Sequence, residues 1–193
     1  MNKKGRLFVV SAPSGAGKTT LCEEIIKRLP GVVRSVSMTT REKRPGEKNG
    51  KDYSFISVEE FKKRLKTKEF IEYAKVFGNY YGTPKKFVES NLNKNRDVVL
   101  TIDVQGAMQI RKNFKKGCIF IFILPPSIKH LRKRLEKRKT DSTKVINSRL
   151  KIAKKELTFL KYYDYEVIND DLKTAFEELK SIFIASRCQR DKN

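Results

Sequence analysis

The chain has 193 residues, with 44 Lys and Arg against 22 Asp and Glu, and its net charge of +22 leaves nucleic acid, acidic membrane surfaces and nucleotide phosphates open as partners. Hydrophobic residues make up 38%, which excludes a wholly disordered chain and allows one folding unit with a real core. The longest apolar run, Cys118 to Leu124, is far shorter than the roughly 20 residues that span a bilayer, so neither a membrane segment nor a signal peptide is expected, and a cytoplasmic location follows.

In chain order, Leu7 to Val10 is a short apolar, β-branched run that predicts a strand. A small-residue loop from Ser11 to Gly17 follows, then Leu21, Ile25, Ile26 and Leu29 at helical spacing, closed by Pro30-Gly31. Cys22 lies in that helix, and neither it nor Cys118 or Cys188 has a CxxC or Cys/His spacing, so all three read as reduced thiols rather than zinc ligands or a disulfide framework. The region from about Arg34 to Ser90 is polar, rich in Gly, Tyr and Thr, with mixed strand and helix signals. Val98 to Ile102, before Asp103, and Ile119 to Leu124, before Pro125-Pro126, read as buried parallel strands. Ser127 is placed to cap a helix carrying Ile128, Leu131 and Leu135. Beyond Thr140-Asp141-Ser142 a second helix carries Val145, Ile146, Leu150, Ala153, Leu157 and Leu160. The lone His130 reads as a surface residue of the first of these helices. Tyr165 to Ile168 predicts a last strand and Leu172 to Ser186 a last helix. The fold class expected is α/β with a central parallel sheet.

The loop Ser11-Ala12-Pro13-Ser14-Gly15-Ala16-Gly17-Lys18-Thr19 fits the P-loop template GxxxxGK[ST] at its glycine-lysine-hydroxyl end, with Ala12 where the first glycine is expected. Small residues let backbone N–H groups turn inward around phosphate oxygens, and the following helix points its positive end at them. Lys18 is expected to bridge the β- and γ-phosphates of ATP and Thr19 to ligate Mg²⁺, the one cofactor expected. Thr39 to Phe55 then sets Arg41 and Arg44 three residues apart and Tyr53 and Phe55 two apart. Arginine forks bind phosphate bidentately, and a tyrosine hydroxyl adds a donor. Between Ile128 and Lys155 stand twelve basic residues and two acidic ones, so an anion is expected to be handled there; most of the lysines among them read as a solvated face.

Every position of the spacing T-[ST]-R-x2-[KR]-x2-[DE]-x2-G-x2-Y-x-F is filled between Thr39 and Phe55. By that signature the chain resembles the guanylate kinase family, and the likeness continues through Phe70-Ile71-Glu72, Gly78 to Pro84, Ile102 to Ala107 and Asn169-Asp170-Asp171. The resemblance implies a P-loop NTPase fold of one domain, with a core of residues 1–33, 91–126 and 161–193, a GMP-binding insertion at 34–90 and a helical lid at 127–160. It implies transfer of phosphate from ATP to GMP, and to dGMP, in purine nucleotide metabolism. Ser37, Glu72, Thr83 and Asp103 would surround the guanine, while Arg41, Arg44, Tyr53 and Tyr81 would hold the GMP phosphate. Residues Ala12 to Thr19 and Asn169 would bind ATP, and Arg138 and Arg149 would bring lid charge to the transferring group beside Lys18 and Arg41. The chemistry agrees, because the N1–H and N2 amine of guanine want acceptors and its O6 wants a donor. Asp103 also follows an apolar strand as a Walker-B acid does, so a part played through Mg²⁺-bound water stays open beside the guanine contact. Three rival readings remain at this level: a binding module of the same fold, a basic ATPase acting on nucleic acid, and a kinase for another monophosphate. The expected partners are ATP and GMP, with no specific nucleic acid and no membrane; oligomeric state is not legible.

Overall fold

A computed structural model of the chain describes residues 4–76, 78–114, 117–137 and 141–189. β1 (Leu7–Ser11) is buried along its whole length, as a strand covered on both faces must be. It leads through the loop into α1 (Lys18–Arg28), and β2 (Val32–Arg34) follows. β3 (Met38–Thr39), β4 (Ser54–Phe55), α2 (Val58–Lys66), β5 (Phe70–Val76) and β6 (Asn79–Pro84) come next, then α3 (Lys85–Asn93). The chain returns through β7 (Asp97–Thr101), α4 (Val104–Asn113) and β8 (Cys118–Leu124). α5 (Ile128–Lys137) and α6 (Thr143–Leu157) precede β9 (Tyr165–Ile168) and α7 (Leu172–Cys188).

Five strands form one sheet in the order β2-β7-β1-β8-β9, parallel at every pairing. Side-chain alternation along β1 sorts the core. Phe8 and Val10 face α1 and α7, packing with Leu21, Ile25, Phe176 and Phe183, and Phe8 stacks on Phe183 with ring centroids 3.7 Å apart. Leu7 and Val9 face the other layer, with Val88 of α3 and Ala107 and Ile110 of α4. Each such side chain contributes about 1.5–3 kcal/mol by leaving water. Asp97, at the start of β7, accepts from Arg187 Nε at 2.7 Å and Arg6 N at 2.9 Å, tying the last helix to the sheet.

A second, mixed sheet of order β4-β3-β6-β5 is built from the residues between Met38 and Pro84. Phe61 of α2 is buried under it, stacked on Phe70 at 4.5 Å and Tyr80 at 5.2 Å. α5 and α6 share a small core of their own, made of Leu131, Leu135, Ile146, Leu150 and Ala153. Ser127 caps α5 by accepting from His130 N at 3.2 Å, and the exposed His130 ring turns back to the same hydroxyl.

The parallel sheet and the strand-loop-helix order agree with the reading of the sequence. Two apolar positions depart from it. Val145 is 41% exposed, because Ile146, Leu150 and Ala153 already define the buried stripe and Val145 sits one residue off it. Leu160 begins a 3₁₀ turn, Leu160–Tyr162, rather than continuing α6.

Candidate active site

The carboxyl ends of β1 and β7 open into one cleft of about 380 Å³, where an open parallel sheet places its ligands. The loop after β1 forms one wall. Gly15 and Gly17 take φ of 100° and 94°, the left-handed region that side chains resist, and so turn the backbone at the head of α1. Ala12 is not in that region, since the only non-glycine residues with positive φ are Lys68 and Asn95 among the described residues. The missing template glycine therefore costs the loop nothing. Gly15 packs close to Leu131 and Leu135, so α5 leans on the loop through a contact that a Cβ there would tighten to 3.1–3.2 Å.

Lys18 Nζ donates to the carbonyl of Ile102 at 2.9 Å, joining the head of α1 to the end of β7. Burial pulls its ammonium below the ordinary lysine value, while Cys22, Asp103 and Glu156 act in the opposite direction. Cys22 is itself pushed up to about 12 by burial, so at neutral pH its thiol carries no charge and the carboxylates provide the counter-field.

At the opposite end of the cleft Glu72 is only 4% exposed. Thr83 Oγ1 donates to Glu72 Oε1 at 2.5 Å, and Ser37 Oγ lies 3.5 Å from Thr83. Because the single hydroxyl proton of Thr83 is directed at Glu72, Ser37 is the hydroxyl left to donate to a ligand oxygen. Burial pushes the Glu72 carboxyl up to about 7, against the hydrogen bond from Thr83 and with the help of the neighbouring Asp103. The first turn of α4 approaches so closely that a Cβ on Gly106 would run into Glu72 Oε2. Asp103 caps that helix, its Oδ1 accepting from Gly106 N at 2.9 Å, while it also lines the cleft. Structural cap and cleft acceptor are thus one residue.

Tyr53, Tyr81 and Arg44 line the cleft, with the two tyrosine rings edge-on at 5.9 Å. Arg41 is not itself part of the lining but packs against residues that are. Its guanidinium bonds Glu47 Oε1 at 2.6 Å and lies over the rings of Tyr53 and Phe55 at 5.5 and 5.8 Å. Glu47 also accepts from Arg44 N at 2.8 Å, so one carboxylate orders the whole arginine loop. From α6, Arg149 reaches Ser14 Oγ at 2.8 Å and is steadied by Asp141 at 3.2 Å. Arg138 lies outside the described residues.

Asn169 is not in this cleft. It is buried, donates to the carbonyl of Ala16 at 2.8 Å, and lines a neighbouring depression with Gly15, Gly17, Thr20 and Arg134. A Cβ on Gly17 would strike its amide. Arg134 donates to the Asn169 carbonyl at 2.7 Å, fastening α5 to the loop after β9.

Three residues of consequence carry no motif signal of their own: Arg134, Glu47 and Glu156. Arg134 stands four residues before Arg138 in the sequence, the spacing of one helical turn, which is a usable signal. Glu47 sits inside the signature but reads there as spacing, and only the placement of α6 along the cleft separates Glu156 from the other charges of that helix.

Among the described residues no group of three or more His, Cys, Asp or Glu is placed to hold a metal. The oxygen donors that do meet in the cleft, the Thr19 hydroxyl and Asp103, are hard ligands too few to cage an ion and suited to Mg²⁺ brought with phosphate oxygens. No helix of the described residues is long and apolar enough to cross a membrane.

A parallel sheet of this order, with a lysine-bearing glycine loop between β1 and α1 and a second small sheet over the cleft, defines a P-loop nucleotide-binding protein. The guanylate kinase family profile matches residues 4–186. The guanylate kinase of Caldanaerobacter subterraneus subsp. tengcongensis is 48% identical over 193 residues, covering 100% of this chain and 93% of the relative. That of Carboxydothermus hydrogenoformans is 50% identical over 184 residues, covering 95% and 90%. The crystal structure of guanylate kinase from Anaplasma phagocytophilum superposes with a TM-score of 0.83 at 36% identity, covering 97% of this chain and 89% of that one. The chain belongs to the guanylate kinase family.

Proposed function

We propose that this chain transfers the γ-phosphoryl group of ATP to GMP, giving ADP and GDP, and that it accepts dGMP as well. The observation that carries the reading is the set Ser37, Thr83 and Glu72 at one end of a cleft whose other end holds Lys18, Arg44 and Arg149. Guanine presents donors at N1 and N2 and an acceptor at O6, and this set, with Asp103, offers the complement. Adenine reverses the pattern at N1 and the 6-position, and each buried group left unpaired costs about 1–3 kcal/mol. AMP is therefore rejected by polar mismatch rather than by size.

Residues 34–90 act as the GMP-binding region and residues 127–160 as the lid, over a core formed by the remainder. Arg41, Arg44, Tyr53 and Tyr81 hold the GMP phosphate. Arg41 must first exchange its bond to Glu47 for the phosphate, and Glu47 keeps the guanidinium oriented until then. The loop from Ala12 to Gly17 cradles the ATP phosphates with its N–H groups, Asn169 supports it from behind, and Lys18 leaves the Ile102 carbonyl to bridge the β- and γ-phosphates. Thr19 would hold Mg²⁺, which supplies charge neutralisation on the phosphate oxygens. The GMP phosphate oxygen attacks in line, so no protein nucleophile is required. Arg149, and Arg138 with it, gathers charge on the transferring group while the lid excludes water that would otherwise hydrolyse ATP. The chain acts in the cytoplasm, on small-molecule substrates.

A coupled assay with MgATP and GMP, dGMP, AMP, CMP or UMP in parallel tests the reading. GMP-dependent ADP release with AMP slower by a factor of about 10³ or more is expected. Comparable turnover of AMP, or no GMP-dependent release, overturns it.

A further inference from the structure

Glu156 is a carboxylate that the transfer step leaves unused. It lies on the inner face of α6, where Arg149, Ile152 and Glu156, at successive turns, are the lid residues lining the cleft. Arg149 is committed to Ser14 and Asp141. The Glu156 carboxylate has neither a hydrogen bond nor an ion pair with any described residue, although burial pushes it up to about 7. It feels both Lys18, at the phosphate end of the cleft, and Asp103, at the base end. A carboxylate drawn out of water without a donor is unfavourable, and a donor arriving with the ligand removes that cost.

The chemistry of the acceptor nucleotide narrows what that donor is. Guanosine monophosphate carries donors at N1, at the N2 amine and at the ribose hydroxyls. Under the function proposed above, on which this inference rests, the base donors belong to Glu72 and Asp103. Phosphates, of either nucleotide, need cations and would be repelled by an acid. The ribose joins base to phosphate, and so lies between the two groups that Glu156 faces. We propose that Glu156 accepts a hydrogen bond from a ribose hydroxyl of the acceptor nucleotide, so that the lid reads the sugar of bound GMP and docks over an occupied acceptor site.

The test is steady-state kinetics of Glu156→Ala and of Glu156→Met, which keeps side-chain length without an acceptor should the alanine variant fold poorly. GMP and dGMP are varied at saturating MgATP, then ATP and Mg²⁺ at saturating GMP. Removing the acceptor raises KM for GMP about tenfold or more and leaves KM for ATP within about twofold, whereas Glu156→Gln, which keeps an acceptor oxygen, recovers most of the loss. If wild type prefers GMP to dGMP and the preference vanishes in the variants, the 2′-hydroxyl is the donor; equal rises for GMP and dGMP assign the 3′-hydroxyl. An unchanged KM for GMP, equal rises for GMP and ATP, or a raised Mg²⁺ requirement with GMP unaffected overturns the assignment. A wild-type protein that turns over no GMP overturns the functional reading instead, so the two failures are distinguishable.

Discussion

The two ends of the cleft are built on different principles. The donor end is one continuous loop whose working parts are backbone N–H groups, two glycines at positive φ and a single lysine. The acceptor end is made of side chains from separate elements, with Glu72 on β5, Thr83 on β6, Asp103 ahead of α4 and Ser37 ahead of β3. A backbone site tolerates a changed side chain provided the conformation survives, which is why Ala12 stands in this loop without strain. A side-chain site has no such freedom, because each donor or acceptor is the identity of one residue. Under the proposed function, binding of a triphosphate, common to many proteins, is therefore concentrated in the loop, and the choice of base is dispersed through the fold.

This contrast is open to attack at both ends. The largest effect is expected from Lys18→Ala. It removes the one side-chain charge of the donor loop, and kcat should fall by about a thousandfold or more, while GMP affinity measured by calorimetry changes by less than about threefold. Lys18 pays a desolvation penalty in the free protein, so the melting temperature should not drop. A variant that lost GMP binding along with turnover would show that the two ends are not separable.

Glu72→Gln should act on the other end, raising KM for GMP by about 10–100-fold with KM for ATP nearly unchanged. The pH profile sharpens the point. The Glu72 carboxyl is raised from 4.5 to about 7, so between those values the folded chain binds the proton that the unfolded chain has lost. Its contribution to stability is therefore present at low pH and is lost as pH rises through 7. Guanine donors need the ionised form, so KM for GMP should fall about tenfold from pH 6 to pH 8 in the wild type through this group. The GMP phosphate titrates identically in both proteins, and the ratio of wild type to Glu72→Gln isolates the carboxylate. A flat ratio would remove Glu72 from base recognition.

The same contrast governs how much of the molecule was legible in the sequence. Buried parallel strands announce themselves as continuous apolar runs, and the starts and ends of β1, β7, β8 and β9 fall within one residue of those runs. The short strands β2, β3 and β4, of two or three residues, carry no periodic signal, and the second sheet is defined by its pairings rather than by any local pattern. Arg41, Arg44, Tyr53, Glu72 and Asp103 were marked by motif spacing. What spacing could not show is what those side chains do to one another: that Thr83 spends its proton on Glu72, that Glu47 holds Arg41, and that Asn169 stands behind the P-loop rather than in the main cleft. Gly106 is the clearest instance, a helix glycine with no local reason to exist until Glu72, far away in sequence, is found pressed against it.

The smallest effects separate conformation from composition within the donor loop itself. Ala12→Gly restores the template and should change kcat/KM by less than about twofold, since position 12 needs no left-handed conformation; the added chain entropy should lower stability by at most about 1 kcal/mol. Gly17→Ala alters the same loop by one methyl group of the opposite sign. It asks a β-carbon to sit at φ of 94° and against the Asn169 amide, and about 1–3 kcal/mol of strain should appear as a lower unfolding midpoint and a raised KM for ATP, with KM for GMP little affected. Were the two substitutions to behave alike, the loop would be reading side chains after all, and its tolerance of Ala12 would need another cause. The outcome expected is that the residue matching the template least is the one whose replacement matters least.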